Sequence, residues 1–125
     1  MKKISTDKAP AAVGPYSQAM EVNGLVYTSG QIALDPATGQ IVGSTIEEQA
    51  EQVMKNLVSV LKAAGTGPEN VVKTLCFLTD MNDFAAFNSI YARYFTEKPA
   101  RSCVGVRSLP KGAICEVEAV AVIEK

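Results

Sequence analysis

Runs of β-forming residues and runs of apolar residues at helical spacing follow one another along this chain. Tyr16–Val22 and Leu25–Ile32 are predicted strands, and Asn23-Gly24 between them tolerates the positive φ angles of a tight hairpin turn. Val71–Leu78 is also rich in β-forming residues but alternates only weakly, which is typical of a buried strand. One hairpin and one separate buried strand are therefore predicted.

Two segments have the apolar periodicity of amphipathic helices. The first begins at Ser44, which forms a capping-box pattern with Glu47, and it ends at Gly65. Its apolar positions are Ile46, Ala50, Val53, Leu57, Val60 (or Leu61) and Ala64. The second helix is predicted from about Asp83 to Phe95. Its aromatic stripe consists of Phe84, Phe87, Tyr91 and Phe95.

The last part of the chain predicts a second hairpin. Its strands would be Ser102–Val106 and Ile114–Val122, turned through Leu109–Gly112. With helices interleaved among strands, the simplest arrangement is one mixed sheet with both helices on one face. No third helix remains to cover the other face, so we expect self-association through it, as a closed symmetric ring.

Size and composition limit the possible functions. At 125 residues, with 47% apolar and 20% charged residues, the chain is predicted to form one globular domain, residues 1–125. The net charge is −1, the pI is near 5.4 and no basic run exceeds Lys2-Lys3, which argues against a nucleic-acid partner. No run has the length and hydropathy of a signal peptide core or a membrane span. We expect a cytoplasmic protein without a membrane partner.

The absence of histidine excludes several kinds of site. Ser-His-Asp and Cys-His catalysis lack their base, and His-ligated zinc or iron cannot form. The four aspartates lie in separate segments and suggest no metal cluster. Cys76, Cys103 and Cys115 are far apart and lack CxxC spacing, which fits a reducing compartment better than a disulfide framework. We therefore expect chemistry without a metal or cofactor, or no chemistry.

Arg101 and Glu116 are the strongest candidates for chemistry. Arg101 follows Pro99-Ala100 at the start of a predicted strand, where it is either a surface salt-bridge residue or a clamp for a substrate carboxylate. Glu116 and Glu118 share one face of their strand, which is either solvated or a place where a carboxylate holds a water molecule. If the second hairpin forms, Cys103 lies opposite Glu116 and brings it towards the strand of Arg101.

Five further polar or small residues are candidates, each with a structural alternative. Asn88 falls on the aromatic stripe, so its amide must bind backbone, a ligand or another subunit. Tyr16 follows a rigid glycine–proline turn and is either packed or projected into a site. Ser29 and Gly30 end a strand with small residues, which allows either a bulge or close approach of a ligand. Cys103 is expected to be a small, largely buried thiol rather than a nucleophile.

Taken together, six motifs closely resemble the RidA/YjgF family, in order and over essentially the whole chain. They are Ala11-Ala12-Val13-Gly14-Pro15-Tyr16-Ser17-Gln18-Ala19, Tyr27-Thr28-Ser29-Gly30-Gln31, Asn82-Asp83-Phe84 with Asn88, Pro99-Ala100-Arg101-Ser102-Cys103-Val104, Leu109-Pro110-Lys111 and Glu116-Val117-Glu118-Ala119. The resemblance implies a chorismate-mutase-like α+β fold and a homotrimer with active sites between subunits. It also implies a 2-iminobutanoate/2-iminopropanoate deaminase, a hydrolase that converts reactive imino and enamine acids to 2-keto acids and ammonia as metabolite damage control.

Carried over by the resemblance, Arg101 would bind the substrate carboxylate and Glu116 would position the attacking water. The remaining pocket residues would be Tyr16, Ser29, Gly30, Asn88 and Cys103. The chain departs from the family in one place, because only Thr96–Lys98 separates Phe95 from Pro99, whereas members often have a longer segment. That short loop bears on the shape of the pocket wall, and hence on substrate preference more than on activity.

Two other functions compete with this one. A non-catalytic module could use the same cleft to bind a 2-keto acid or a similar metabolite, because Arg101 serves either role. An RNA-directed role, as attributed to some relatives, is disfavoured by the acidic pI, the absence of histidine and the lack of interleaved basic and aromatic residues.

Overall fold

One six-stranded sheet forms the frame of the computed structural model, which describes residues 1–123. The elements in chain order are β1 (Lys2–Ile4), β2 (Ala19–Val22), β3 (Leu25–Thr28), α1 (Ile46–Ala63), β4 (Val71–Leu78), α2 (Phe84–Tyr94), β5 (Ala100–Gly105) and β6 (Cys115–Val122). The strand order is β1-β2-β3-β6-β4-β5, in which only β4 and β5 are parallel. The predicted mixed sheet is confirmed.

The first hairpin turns where the sequence predicts. Asn23 and Gly24 have φ angles of 52° and 78°, and β2 pairs with β3 on either side of them. Both strands are shorter than predicted, since the backbone from Tyr16 to Gln18 and after Thr28 leaves the sheet. Gln31 returns to form an isolated bridge with Val117 of β6.

Helix α1 has the predicted apolar face, but its capping box lies one residue later than Ser44 and Glu47. Thr45 Oγ1 accepts a hydrogen bond from the Glu48 amide at 3.2 Å, and Glu48 Oε1 accepts one from the Thr45 amide at 3.2 Å. The Glu48 carboxylate also accepts hydrogen bonds from the Ser44 amide and the Thr45 hydroxyl, and the bonds from Ser44 and Thr45 hold the pKa of Glu48 below its ordinary value. Either hydroxyl–glutamate pair satisfies the motif; the pair found here makes the buried Ile46 the first helical residue.

Both helices pack on one face of the sheet, as predicted. Phe87 and Tyr91 of α2, and Phe95 directly after the helix, are buried against the apolar side of α1 and the sheet. The buried residues that the strands contribute to this core are Val71, Cys76, Leu78, Cys115, Val117, Ala119 and Ala121. No helix within residues 1–123 is long and apolar enough to cross a membrane.

The predicted second hairpin is wrong. Strand β5 pairs parallel with β4, and β6 enters between β3 and β4, so β5 and β6 are not neighbours. The segment β4–α2–β5 is a strand–helix–strand crossover, which makes its two strands parallel. Cys103 therefore pairs with Cys76 instead of lying opposite Glu116, whose partner is Phe77.

The sheet face away from the helices is uncovered in the single chain. Side chains of β6 alternate between the core and this face, so Glu116 and Glu118 point away from the helices. Apolar neighbours on the same face are Met20, Tyr27, Leu75, Phe77, Val104 and Val120. Tyr27 is 45% exposed and Val104 41% exposed. This surface matches the expectation of a face left without a covering helix.

Candidate active site

Arg101 is held beneath helix α2 in a defined orientation. Its NH1 group donates a 2.7 Å hydrogen bond to Asn88 Oδ1, and its Cζ atom lies 4.8 Å from the ring centroid of Tyr91 and 5.4 Å from that of Phe84. Within residues 1–123 Asn88 is the only hydrogen-bond partner of the guanidinium. Its other N–H groups remain available to an anion.

A shallow recess of about 300 Å³ adjoins this arginine. It is lined by Asn88, Tyr91, Ala92, Phe95, Lys98, Pro99 and Arg101. Asn88 therefore uses its amide oxygen to orient Arg101 rather than to bind backbone. Of the short segment Thr96–Lys98, Lys98 lines this recess.

Glu116 belongs to a different and larger cleft of about 460 Å³. Its lining includes Tyr16, Ser29, Gly30, Gln31, Pro110 and Lys111. Burial is the main reason that the pKa of Glu116 is raised above its ordinary value, and the nearby charge of Glu118 adds to the effect. A carboxyl group with a raised pKa is a better proton acceptor than an ordinary surface glutamate, which suits it to activating a water molecule.

Buried amides hold the loops of this larger cleft, and none of them was predicted from the sequence as a functional residue. Gln18, 3% exposed, accepts from the Thr6 amide at 2.7 Å and donates to the carbonyls of Thr6 and Pro10 at 3.0 and 2.8 Å. Asn56 of α1 donates to the carbonyls of Ile32 and Leu34 at 3.0 and 2.9 Å. The position of Gln18 in the first motif, two residues after Tyr16, was the only signal for it in the sequence.

Ser29 and Tyr16 are placed by the same loop system. The Ser29 amide donates to the Gln18 carbonyl at 2.9 Å, and its hydroxyl donates to the Ser17 carbonyl. Tyr16 lies at the cleft with half of its surface exposed. The structure thus brings Tyr16, Ser29, Gly30 and Glu116 together on one side of the molecule.

Arg101 and Glu116 do not meet within one chain, contrary to the expectation from the hairpin. Arg101 pairs with Thr74 and points to the helix side, whereas Glu116 pairs with Phe77 and points to the uncovered side. The candidate residues therefore form two half-sites, Arg101 with Asn88 and Glu116 with the cleft residues, on opposite faces of the sheet.

Cys103 lies on the helix side, next to Cys76 on the neighbouring strand. Burial raises the pKa of the Cys103 thiol, an effect that the positive charge of Arg101 only partly opposes. The thiol therefore stays protonated near neutral pH, although Cys103 is only partly buried and not largely buried as the sequence led us to expect. No group of three or more His, Cys, Asp or Glu side chains in residues 1–123 is arranged to hold a metal ion.

The sequence and the fold match one family throughout. The family model described as endoribonuclease L-PSP matches residues 6–123. A RutC family protein of Synechocystis sp. is 58% identical over 126 residues, which cover 98% of this chain and 97% of that protein. The 2-iminobutanoate/2-iminopropanoate deaminase of Mus musculus is 53% identical over 122 residues, which cover 97% of this chain and 90% of that protein.

Among solved structures, that of RidA from the Antarctic bacterium Psychrobacter sp. is similar to this one. Its TM-score is 0.94 at 44% sequence identity, and the match covers 98% of this chain and 100% of that chain. The predicted chorismate-mutase-like α+β fold, with two helices on one face of a mixed sheet, is confirmed. The chain belongs to the RidA/YjgF family, whose family model carries the description endoribonuclease L-PSP.

Proposed function

We propose that this protein hydrolyses reactive 2-imino and enamine acids, such as 2-iminobutanoate and 2-iminopropanoate, to 2-keto acids and ammonia. The observation that carries this proposal is the fixed guanidinium of Arg101, oriented by Asn88 and two aromatic rings beside an open recess. Such a group suits the carboxylate that all these substrates share. The name of the mouse relative agrees with this choice.

The complete site is proposed to form between subunits of a homotrimer. A head-to-tail ring joins one surface of each subunit to a different surface of the next. The two half-sites lie on opposite faces of the sheet, so such an interface could bring Arg101 of one copy to Glu116 of its neighbour. The uncovered apolar sheet face supports burial in an assembly.

In this assembly the reaction needs mainly positioning. Arg101 binds the carboxylate of the imino acid, and protonation of the imine nitrogen makes C2 electrophilic. Glu116 accepts a proton from a water molecule as the water oxygen bonds to C2, and it then returns this proton to the nitrogen. Glu116 next accepts the proton of the new C2 hydroxyl as the C–N bond breaks, so that ammonia leaves and the hydroxyl becomes the carbonyl of the 2-keto acid. This last proton passes to solvent and replaces the one that charged the imine, so one water is consumed for each ammonia released.

The other site residues have supporting roles in the proposal. Gly30 leaves room for the Glu116 carboxylate, and Tyr16 and Ser29 line the cleft on the same side. Asn88 and Cys103 belong to the arginine side, where Asn88 orients the guanidinium. No cofactor takes part, and the three free cysteines fit action in a reducing cytoplasm.

An RNA substrate, to which the description of the family model points, is less well supported. The chain has a net charge of −1 and no histidine, and its candidate anion site is a small recess whose cationic side chains are Arg101 and Lys98. RNA binding normally requires an extended basic surface with aromatic residues. A small carboxylate matches the site better.

The direct test is the activity of Arg101→Ala in a coupled assay, in which a PLP-dependent dehydratase supplies the imino acid and keto-acid formation is followed. Each charge-assisted hydrogen bond contributes about 1.5–3 kcal/mol, so loss of two predicts a decrease of at least about a hundredfold. Arg93→Ala, at an exposed position of α2, is the matched control. A folded, assembled Arg101→Ala protein with parental activity would refute the proposal.

A further inference from the structure

Beneath the guanidinium of Arg101 lies a hydrogen bond that the reaction itself does not use. The hydroxyls of Tyr91 and Thr74 are 2.7 Å apart, in a part of the core where Tyr91 is 8% exposed and Thr74 is 0% exposed. Tyr91 also presents its ring to Arg101, with the guanidinium carbon 4.8 Å from the ring centroid. The Tyr91 ring that contacts Arg101 is thus itself held in place by a hydrogen bond to Thr74.

We propose that Tyr91 and Thr74 are positioning residues that fix the plane of the Arg101 guanidinium. A substrate carboxylate can then accept hydrogen bonds from two of the guanidinium N–H groups at once. This inference rests on the proposed role of Arg101 as the carboxylate clamp. Tyr91 provides the surface on which the guanidinium lies, and Thr74 prevents that ring from turning.

The geometry connects all the supports of Arg101 to one another. Thr74 is the register partner of Arg101 on the adjacent strand β4, so the anchor of the ring is tied to the backbone beside the arginine. Asn88 and Tyr91 lie one helical turn apart on α2, so the hydrogen bond and the aromatic face come from the same helix. Movement of α2 relative to β4 would disturb both supports, and the Tyr91–Thr74 bond joins these two elements.

Apolar packing alone constrains the rotation of the Tyr91 ring less than packing together with the hydrogen bond to Thr74 does. Tyr91 contacts Phe87 and Phe95 with ring centroids 5.9 and 4.7 Å apart and tilted planes. These contacts bury the ring but do not specify where its hydroxyl lies. The directional constraint comes from Thr74, because a buried hydroxyl without a partner is costly.

The consequence for the reaction is specific. The carboxylate is bound in both the ground state and the transition state, so loosening its clamp should weaken binding more than it slows the bound substrate. Thr74→Val keeps the shape of the side chain and removes its hydroxyl. We expect KM for the imino acid and Kd for 2-oxobutanoate to rise about threefold to tenfold, with a smaller change in kcat.

A readout independent of activity is the NMR signal of the Arg101 Nε–Hε group. The chain has three arginines, Arg93, Arg101 and Arg107, so the signal can be assigned with Arg101→Lys. In Thr74→Val and Tyr91→Phe we expect this signal to show greater mobility than in the parent protein, with Arg93 and Arg107 unchanged. Thr74→Ser restores a hydroxyl and should return the signal and Kd towards the parental values.

Tyr94→Phe is the matched control, on the same helix and with the same chemical change. Its hydroxyl donates at 2.8 Å to Oε1 of Glu51 on α1, and not to a residue of the strand beside Arg101; Glu51 Oε2 is already buried without a partner within residues 1–123. This variant should lower Tm without altering the Arg101 signal or Kd. A general loss of stability is thereby separated from loss of positioning.

The outcomes are distinct. Unchanged Arg101 mobility and Kd in Thr74→Val and Tyr91→Phe, or equal changes in Tyr94→Phe, would overturn the inference even if the parent protein is a deaminase. Greater Arg101 mobility in a protein whose parent has no deaminase activity would support positioning and refute the proposed reaction. If Tyr91→Phe does not assemble, the pair Thr74→Val and Thr74→Ser decides the question.

Discussion

Gly30 lies against the carboxylate of Glu116 so closely that a Cβ atom at position 30 would collide with it. Glycine at this position is therefore required by space and not by a left-handed backbone, because Gly30 is not among the positive-φ glycines. The small residue that the sequence places at the end of a strand accommodates a neighbouring side chain within the same chain.

Gly30→Ala is expected to displace the Glu116 carboxylate and to lower kcat/KM at least about tenfold, since small misplacements of a catalytic group have large effects. Gly105→Ala is the control, because its added Cβ would press on the flexible side chain of Met81 and would meet the Leu78 carbonyl oxygen only at ordinary contact distance. Steady-state kinetics of both variants, with Tm as a check on folding, make the measurement. Parental activity of Gly30→Ala would show that the position of this carboxylate does not matter.

The raised pKa of Glu116 predicts a particular pH dependence. The ionised form is the proposed base, so activity should decline as pH falls through a pKa above the ordinary 4.5. Glu118→Gln removes the second cause of the shift and should move the acid limb of the pH–kcat/KM profile to lower pH. An acid limb unmoved by Glu118→Gln would contradict this electrostatic assignment.

The raised pKa of Glu116 also makes stability depend on pH, in the direction opposite to that expected for activity. A carboxyl group whose pKa is raised by folding stabilises the fold below its unfolded pKa, and this contribution is lost as pH rises through the folded value. Glu116→Gln should therefore keep or raise Tm at pH 7 while abolishing turnover, and retain 2-oxobutanoate binding. A parent protein that binds 2-oxobutanoate without any turnover would instead favour the non-catalytic binding module.

Gln18 is expected to control the order of the loop that carries Tyr16. Gln18→Glu keeps the size of the side chain but replaces its donor with an oxygen facing the carbonyls of Thr6 and Pro10. The loss should be about 1–3 kcal/mol in the free energy of unfolding, with faster hydrogen exchange across residues 6–17. Gln40→Glu, at an exposed position, is the control. Equal exchange in the two variants would refute the role of Gln18.

Most elements of the fold were predictable from local signals in the sequence. Asn23-Gly24 determines its turn through its own backbone preferences, and the apolar spacing around α1 identifies the buried face. The exact cap was not decidable from the motif, since Ser44 with Glu47 and Thr45 with Glu48 have the same spacing. The three-dimensional structure distinguishes them, because the Glu48 amide donates to Thr45 Oγ1.

Strand neighbours were the part that the sequence did not determine. Because β5 and β6 are close in the sequence, a hairpin was expected. The crossover through α2 instead places β5 at the edge of the sheet, beside β4. Because β5 pairs with β4 and not with β6, Arg101 and Glu116 lie on opposite faces of the sheet. The motifs identify Arg101 and Glu116 as candidates, but the separation of these residues into two half-sites depends on long-range strand pairing.

The central claim, that Arg101 of one subunit works with Glu116 of its neighbour, is tested most directly by mixing two inactive chains. Arg101→Ala and Glu116→Gln chains are co-expressed, and native mass spectrometry confirms that mixed trimers form. With random assembly about a quarter of the sites in a head-to-tail ring contain both intact residues, so activity should return to about a quarter of the parental value. Mixed trimers that remain inactive would contradict the shared site.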